Sequence, residues 1–173
     1  TDGSSDKTLL HVDDSGDISF YEDTGTTAKF FWDASAESLG IGTSSPSSNL
    51  DIESASEVKL DLNCTAGKVF RLRSTTSSEF IVRDSTAGAN RLVIDSSGNV
   101  GIGVTPENSS GTWRNFEQGG MNLVGRSASG ADGMVGTNYV FKTDNSEVYK
   151  YTAGTSRLFF DANEIRFQQA ASG

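Results

Sequence analysis

Apolar residues in this chain recur with a period of two over short segments, the pattern of strands with one face on a core and one in water. Asn49-Leu50-Asp51-Ile52-Glu53 and Glu57-Val58-Lys59-Leu60-Asp61-Leu62-Asn63 alternate strictly. Val69-Phe70-Arg71-Leu72-Arg73, Glu79-Phe80-Ile81-Val82-Arg83 and Arg91-Leu92-Val93-Ile94 follow at intervals of about ten residues, with Ser, Thr, Gly and Asn between them. Met121-Asn122-Leu123-Val124, Thr137-Asn138-Tyr139-Val140-Phe141-Lys142 and Glu147-Val148-Tyr149-Lys150-Tyr151 continue the series. Short strands at regular spacing predict an all-β protein, and no segment supports a long helix.

Other runs do not alternate. Phe30-Phe31-Trp32, Phe80-Ile81-Val82, Leu92-Val93-Ile94 and Leu158-Phe159-Phe160 place apolar groups on both faces of a sheet. Such strands are expected where both faces are covered. A meander of this kind supplies no second layer, so the expected cover is the same segment from another copy of the chain, which also hides exposed strand edges.

One turn grammar repeats. Leu92-Val93-Ile94-Asp95-Ser96-Ser97-Gly98-Asn99-Val100 aligns without a gap on Leu10-His11-Val12-Asp13-Asp14-Ser15-Gly16-Asp17-Ile18. Phe30 to Gly42 carries a copy with one extra turn residue, and Leu158 to Ile165 a copy one residue shorter. Asp13 and Asp95 stand first and Gly16 and Gly98 fourth, the preferences of a type I turn closed by a left-handed glycine. A Ca2+ loop would need further carboxylates at fixed spacing and a distal Glu, which are missing, so the pattern is read as a hairpin turn.

Composition sharpens the picture. The 173 residues include only 38 Leu, Ile, Val and Phe, or 22%, against 41 Ser and Thr and 19 Gly. That is little apolar surface to offset ordering entropy in a single chain. A net charge of −9 with no basic patch argues against a nucleic-acid partner, and no apolar stretch is long enough for a membrane span. Three regions are expected, 1–46, 47–106 and 107–173, with soft boundaries near Pro46 and Pro106.

Gly40-Ile41-Gly42 and Gly101-Ile102-Gly103 end two of the repeats. No P-loop Lys or helix start follows either, so a phosphate cradle is disfavoured. The glycines are expected to admit close backbone approach, with Ile41 and Ile102 meeting at a symmetry axis. The run from Leu92 to Gly103, closing on Thr105-Pro106, resembles the signature of bacteriophage tail-fibre and related receptor-binding proteins. Trp32-Asp33-Ala34-Ser35, then Leu39 to Pro46, resembles it again. The resemblance covers about a third of the chain. It implies an elongated, intertwined, parallel homotrimeric β-fibre of short hairpins and meanders, located in the virion tail, with adjoining fibre segments as neighbours. It implies no catalytic residue and no cofactor or metal. Val104-Thr105 departs from the Thr43-Ser44-Ser45 of the other copy. With no self-cleaving chaperone domain evident before Gly173, the chain reads as a shaft segment.

Candidate chemistry is sparse. His11 lies within a strand and Cys64 lacks any supporting signature, so neither is read as catalytic, and Cys64 is expected to be a small buried hydrophobe. Asp51 and Glu53 would share one strand face at about 7 Å, a spacing compatible with glycoside hydrolysis. In so acidic a chain such pairs arise by chance, and the chain is read as a non-enzyme. Trp113, in a polar loop, is the candidate contact for a host glycan or receptor. The leading reading is a tail-fibre shaft. A glycan-binding module, a subunit of a secreted β-filament and a polysaccharide-cleaving spike are the alternatives.

Overall fold

A computed structural model describes residues 7–106, 113–119, 121–126, 133–137, 139–141, 147–149, 155–161 and 164–170. Every regular element among them is a strand. The chain divides into two compact units, Thr1–Val58 and Lys59–Gly173. The expected boundary near Pro46 falls within the first and that near Pro106 within the second.

The first unit holds one open five-stranded sheet in chain order: β1 (Leu10–Val12), β2 (Ile18–Tyr21), β3 (Ala28–Asp33), β4 (Ser38–Ile41) and β5 (Leu50–Ile52). Its neighbours are antiparallel except β4 and β5, which run parallel. The second unit continues in the same style. β6 (Val58–Asn63), β7 (Val69–Ser74), β8 (Phe80–Asp84), β9 (Ala89–Ile94), β10 (Val100–Ile102), β11 (Trp113–Gln118), β12 (Met121–Arg126) and β13 (Gly133–Thr137) follow one another across a ten-stranded sheet. β14 (Tyr139–Phe141) and β15 (Glu147–Tyr149) pair separately, and β16 (Thr155–Asp161) and β17 (Glu164–Ala170) complete the large sheet beyond β13. Here too one pair, β10 and β11, is parallel.

The turns explain why these segments fold back. In four hairpins, Asp13–Asp17, Cys64–Lys68, Thr75–Glu79 and Asp95–Asn99, the same two backbone bonds close the loop. The first residue's amide donates to the fifth residue's carbonyl, and the fourth residue's amide donates back to the first carbonyl. In three of the four this is a type I turn with a bulge, which needs a left-handed fourth residue; Gly67, fourth in Cys64–Lys68, is not at positive φ. Gly16 (φ 91°), Ser78 (φ 61°) and Gly98 (φ 83°) all adopt that conformation. Ser78 does so with a side chain, at a steric cost glycine avoids. Ser78→Gly is therefore expected to stabilise the chain by about 1 kcal/mol, net of glycine's greater unfolded entropy. Urea unfolding measures this, and a loss of stability would contradict it.

Cys64 occupies the first position of one such turn and is exposed, which corrects the expectation of burial. A residue at a hairpin tip has no sheet face beneath it to pack against.

The apolar core is small. Ile81, Val93, Val124 and Met134, with Pro106, are the buried apolar side chains among the described residues, and all five belong to the second unit.

Candidate functional site: two apolar sheet faces

Each Gly-Ile-Gly segment ends an antiparallel strand and starts a crossover to a parallel one. Gly42 donates its amide to the Lys29 carbonyl at 2.9 Å, and Gly103 donates to the Arg91 carbonyl at 2.9 Å. Both are left-handed, at φ 81° and 69°. A Cβ on Gly40 would collide with the Thr43 carbonyl oxygen, and one on Gly101 with the Val104 carbonyl oxygen. At Gly101 the Pro106 ring also stands in the way, 2.9 Å from the Cβ position. The backbone that these glycines admit is the chain's own, three residues further on.

The isoleucines between them point elsewhere. Register places Ile41 in the row Leu10–Phe20–Phe30–Ile41–Ile52, one residue from each strand of the first sheet. A second row on the same face reads Val12–Ile18–Trp32–Leu39–Leu50. All ten positions are apolar and none is buried. Leu10, Val12 and Leu50 are more than half exposed. Phe20 and Phe30 meet edge to face with ring centroids 5.2 Å apart, a favourable aromatic geometry. The opposite face carries His11, Ser19, Phe31, Gly40 and Asp51, and Ser19 and Gly40 are buried there.

The same construction recurs 62 residues later. Leu10↔Phe20 is matched by Leu72↔Val82, and Phe20↔Phe30 by Val82↔Leu92. A register shift follows Phe20 in β2 and follows Val82 in β8. Phe30↔Ile41 is matched by Leu92↔Ile102, and Leu39↔Leu50 by Val100↔Phe116. β1–β5 and β7–β11 are thus two copies of one five-stranded module. In the second copy Ser74 and Gln118 join eight apolar residues in the two rows, and Asp84 and Arg114 flank those rows on the same face. From Phe116 the apolar row runs on through Leu123, Val135, Leu158 and Phe167. Phe167 is 87% exposed.

Burial in this sheet is inverted. The face behind the apolar row holds Asn99, Asn115, Glu117 and Asn122, all buried, beside Val93, Val124 and Met134. Asn99 ties the turn to β11. Its Nδ2 donates to Asp95 Oδ2 at 2.8 Å and its Oδ1 accepts the Asn115 amide at 2.9 Å. Asn115 Nδ2 donates to Glu117 Oε1 at 3.2 Å, and Glu117 lies opposite Asn122 in register. The amide or acid that closes each turn repeat does similar work in the first module, where Asp17 Oδ1 accepts the Ala34 amide at 2.8 Å.

The most strongly perturbed carboxylates occupy matching places in the two modules. Glu22, which starts the β2–β3 turn, accepts the Thr24 hydroxyl and the Thr24, Thr26 and Thr27 amides. Those bonds pull its pKa far below the usual carboxylate range. Asp84 ends β8 with no exposed surface, its Oδ2 taking Lys68 Nζ and Arg91 Nη2 at 2.7 Å each while its Oδ1 accepts the Ala87 amide. Its pKa is likewise far below the usual range, through Lys68 first and Arg91 second. In the sequence Glu22 stands out only as half of the acidic pair Glu22-Asp23, and Asp84 not at all. The signal for them is the alignment of Glu22 on Asp84 at the module offset.

Other expected residues find plain roles. Asp13 Oδ1 accepts the Ser15 hydroxyl and amide and the Asp17 amide, which lowers its pKa, the Ser15 hydroxyl first. Asp51 takes the Ser47 amide and hydroxyl, and Glu53 lies past the end of β5. His11 is exposed on β1. Trp113 begins β11, and its side chain lies outside the described residues. No protein-family model matches the chain, and no curated protein matches it.

Proposed function

We propose that this chain is a structural segment of a bacteriophage tail fibre, a homotrimeric β-rich shaft that supports or presents host-receptor binding. The observation that carries the reading is the first sheet. Ten apolar side chains share one of its faces, yet no apolar side chain described in that unit is buried. A lone sheet gains little from strand pairing in water and needs its apolar face covered to be stable. Neighbouring copies provide that cover in a fibre. The stoichiometry of three and the virion setting rest on the resemblance of Leu92 to Pro106 and Trp32 to Pro46 to fibre signatures.

Light scattering on the full chain tests the proposal. A mass three times that of one chain is expected at micromolar concentration. A monodisperse folded monomer overturns it.

A further inference from the structure

We infer that the two five-stranded modules, β1–β5 and β7–β11, are repeated assembly modules, and that their matching apolar rows are the surfaces on which copies of this chain pack together. The inference rests on the homo-oligomeric reading above and specifies the surface it uses.

The occupant follows from chemistry and repetition. The two apolar rows of each module carry no charge, although the chain's net charge is −9. In the second module the same face holds charge only beyond those rows, at Asp84, which Lys68 and Arg91 neutralise, and at Arg114. Charge complementarity therefore contributes nothing over these rows, and the partner must be apolar over the same extent. The same ladder appears twice in one chain, with the same pairings and the same register shift. A foreign partner would need two matched apolar surfaces, whereas another copy of this chain carries both by construction. The area is also adequate. Five strands and two rows give about 330 Å² of flat face per module, roughly 650 Å² for the pair, near the ~800 Å² per partner of a specific interface.

Burial on the two sides agrees. In the second module Phe80 is 44% exposed while Ile81, its neighbour on the other face, is 4% exposed. A chain that buries Asn99 and Glu117 while leaving Phe20 and Phe80 open has placed its spare apolar surface outward. Exposed apolar patches of this extent mark association sites.

The experiment uses the full chain and three variants. Phe20→Asp and Phe80→Asp put a carboxylate on each module face at positions the single chain already exposes, so neither clashes within its own chain. His11→Asp places the same charge on the opposite, exposed face of β1. Sedimentation and light scattering are expected to show the wild type and His11→Asp assembled. Phe20→Asp and Phe80→Asp are expected to raise the dissociation concentration at least tenfold each, and the double variant to be monomeric. An assembled wild type whose state both Phe variants leave unchanged overturns the inference and leaves the oligomeric reading standing. A monomeric wild type overturns both.

A second measurement covers variants that fail to fold. In a full chain with Trp113→Phe, Trp32 reports on the first module's face. Its emission is expected to shift to the red on dilution below the dissociation concentration. Emission that stays constant while the mass falls overturns the inference for that module.

Discussion

Gly101→Ala is expected to destabilise the protein by about 3 kcal/mol, the upper part of the range for forcing atoms into a filled site. The new methyl group would meet the Val104 carbonyl oxygen, with Pro106 N at 3.0 Å and Pro106 Cδ at 2.9 Å. Backbone and a proline ring are the obstacles, so no flexible side-chain end can move aside. The crossover from β10 to the parallel β11 would have to lift away from the sheet, and the Val100↔Phe116 pairing would be disturbed with it. Two comparison variants separate sterics from conformation. Gly103 has open space around its Cβ position but a φ of 69°, so Gly103→Ala is expected to cost about 1 kcal/mol through backbone strain alone. Gly125 has neither problem, with nothing near its Cβ position and no positive φ, and Gly125→Ala is expected to be close to neutral. Urea midpoints should fall in the order Gly125, Gly103, Gly101, from least to most damaging. Equal effects at Gly101 and Gly125 would remove the steric account of the crossover. Gly40→Ala should reproduce the Gly101 result in the first module, where the Thr43 carbonyl oxygen takes the place of Val104's.

These glycines show both the reach and the limit of reading the sequence. Alternation in Leu50 to Glu53 and Val58 to Asn63 marked strands that exist, because a period of two reports a face directly. The double-faced run Phe30-Phe31-Trp32 also marked a strand, and two of its residues, Phe30 and Trp32, do face the uncovered side. The Gly-Ile-Gly motif signalled close backbone approach, but not whose backbone. At Gly40 and Gly101 the approach is local, at three residues' distance, while at Gly42 it is to the Glu53 backbone beyond β5, and a crossover's path is invisible in a pattern of residue types. The repeat was legible only as a turn. Its larger unit is five strands, because Leu10 to Ser35 aligns with Leu72 to Ser97 mostly through side-chain character, with few identities. Pairing register exposes the equivalence, since Phe20 and Val82 sit in the same place between the same neighbours. Asn115, Glu117 and Asn122 were not legible as buried. Polar residues in alternation read as a solvated face, and only the three-dimensional sheet shows which side is closed.

Lowering the pH should weaken this protein through its two matched turn acids, and Asp84→Asn should blunt that response. Asp84 has an ordinary value of 3.8 and Glu22 one of 4.5, and both are pulled well below them in the folded chain. A depressed folded pKa means that the unfolded chain takes up the proton first. The stabilisation is fully present above the unfolded values and is lost as pH falls from about 5 through the folded values. For Asp84 the cause lies in its geometry. Lys68 from the β6–β7 turn and Arg91 from β9 converge on one carboxylate oxygen, and the Ala87 amide holds the other. Protonation removes the charge that gathers the three segments. Lys68 and Arg91 remain about half exposed, so water can resolvate them, and the loss appears as loosened turns more than as stranded charges. Glu22 depends on hydroxyl and amide donors within its own turn, so Glu22→Gln should reduce the acid sensitivity independently. Urea midpoints at pH 7, 5, 4 and 3 measure the response. The wild type should lose stability progressively below pH 5. Asp84→Asn should start lower at pH 7 and fall less steeply, and the double variant should be flattest. A double variant with the full wild-type slope would show that acid acts on other carboxylates, such as Asp13, Asp33 or Asp61, whose pKa values are also lowered by their bonds.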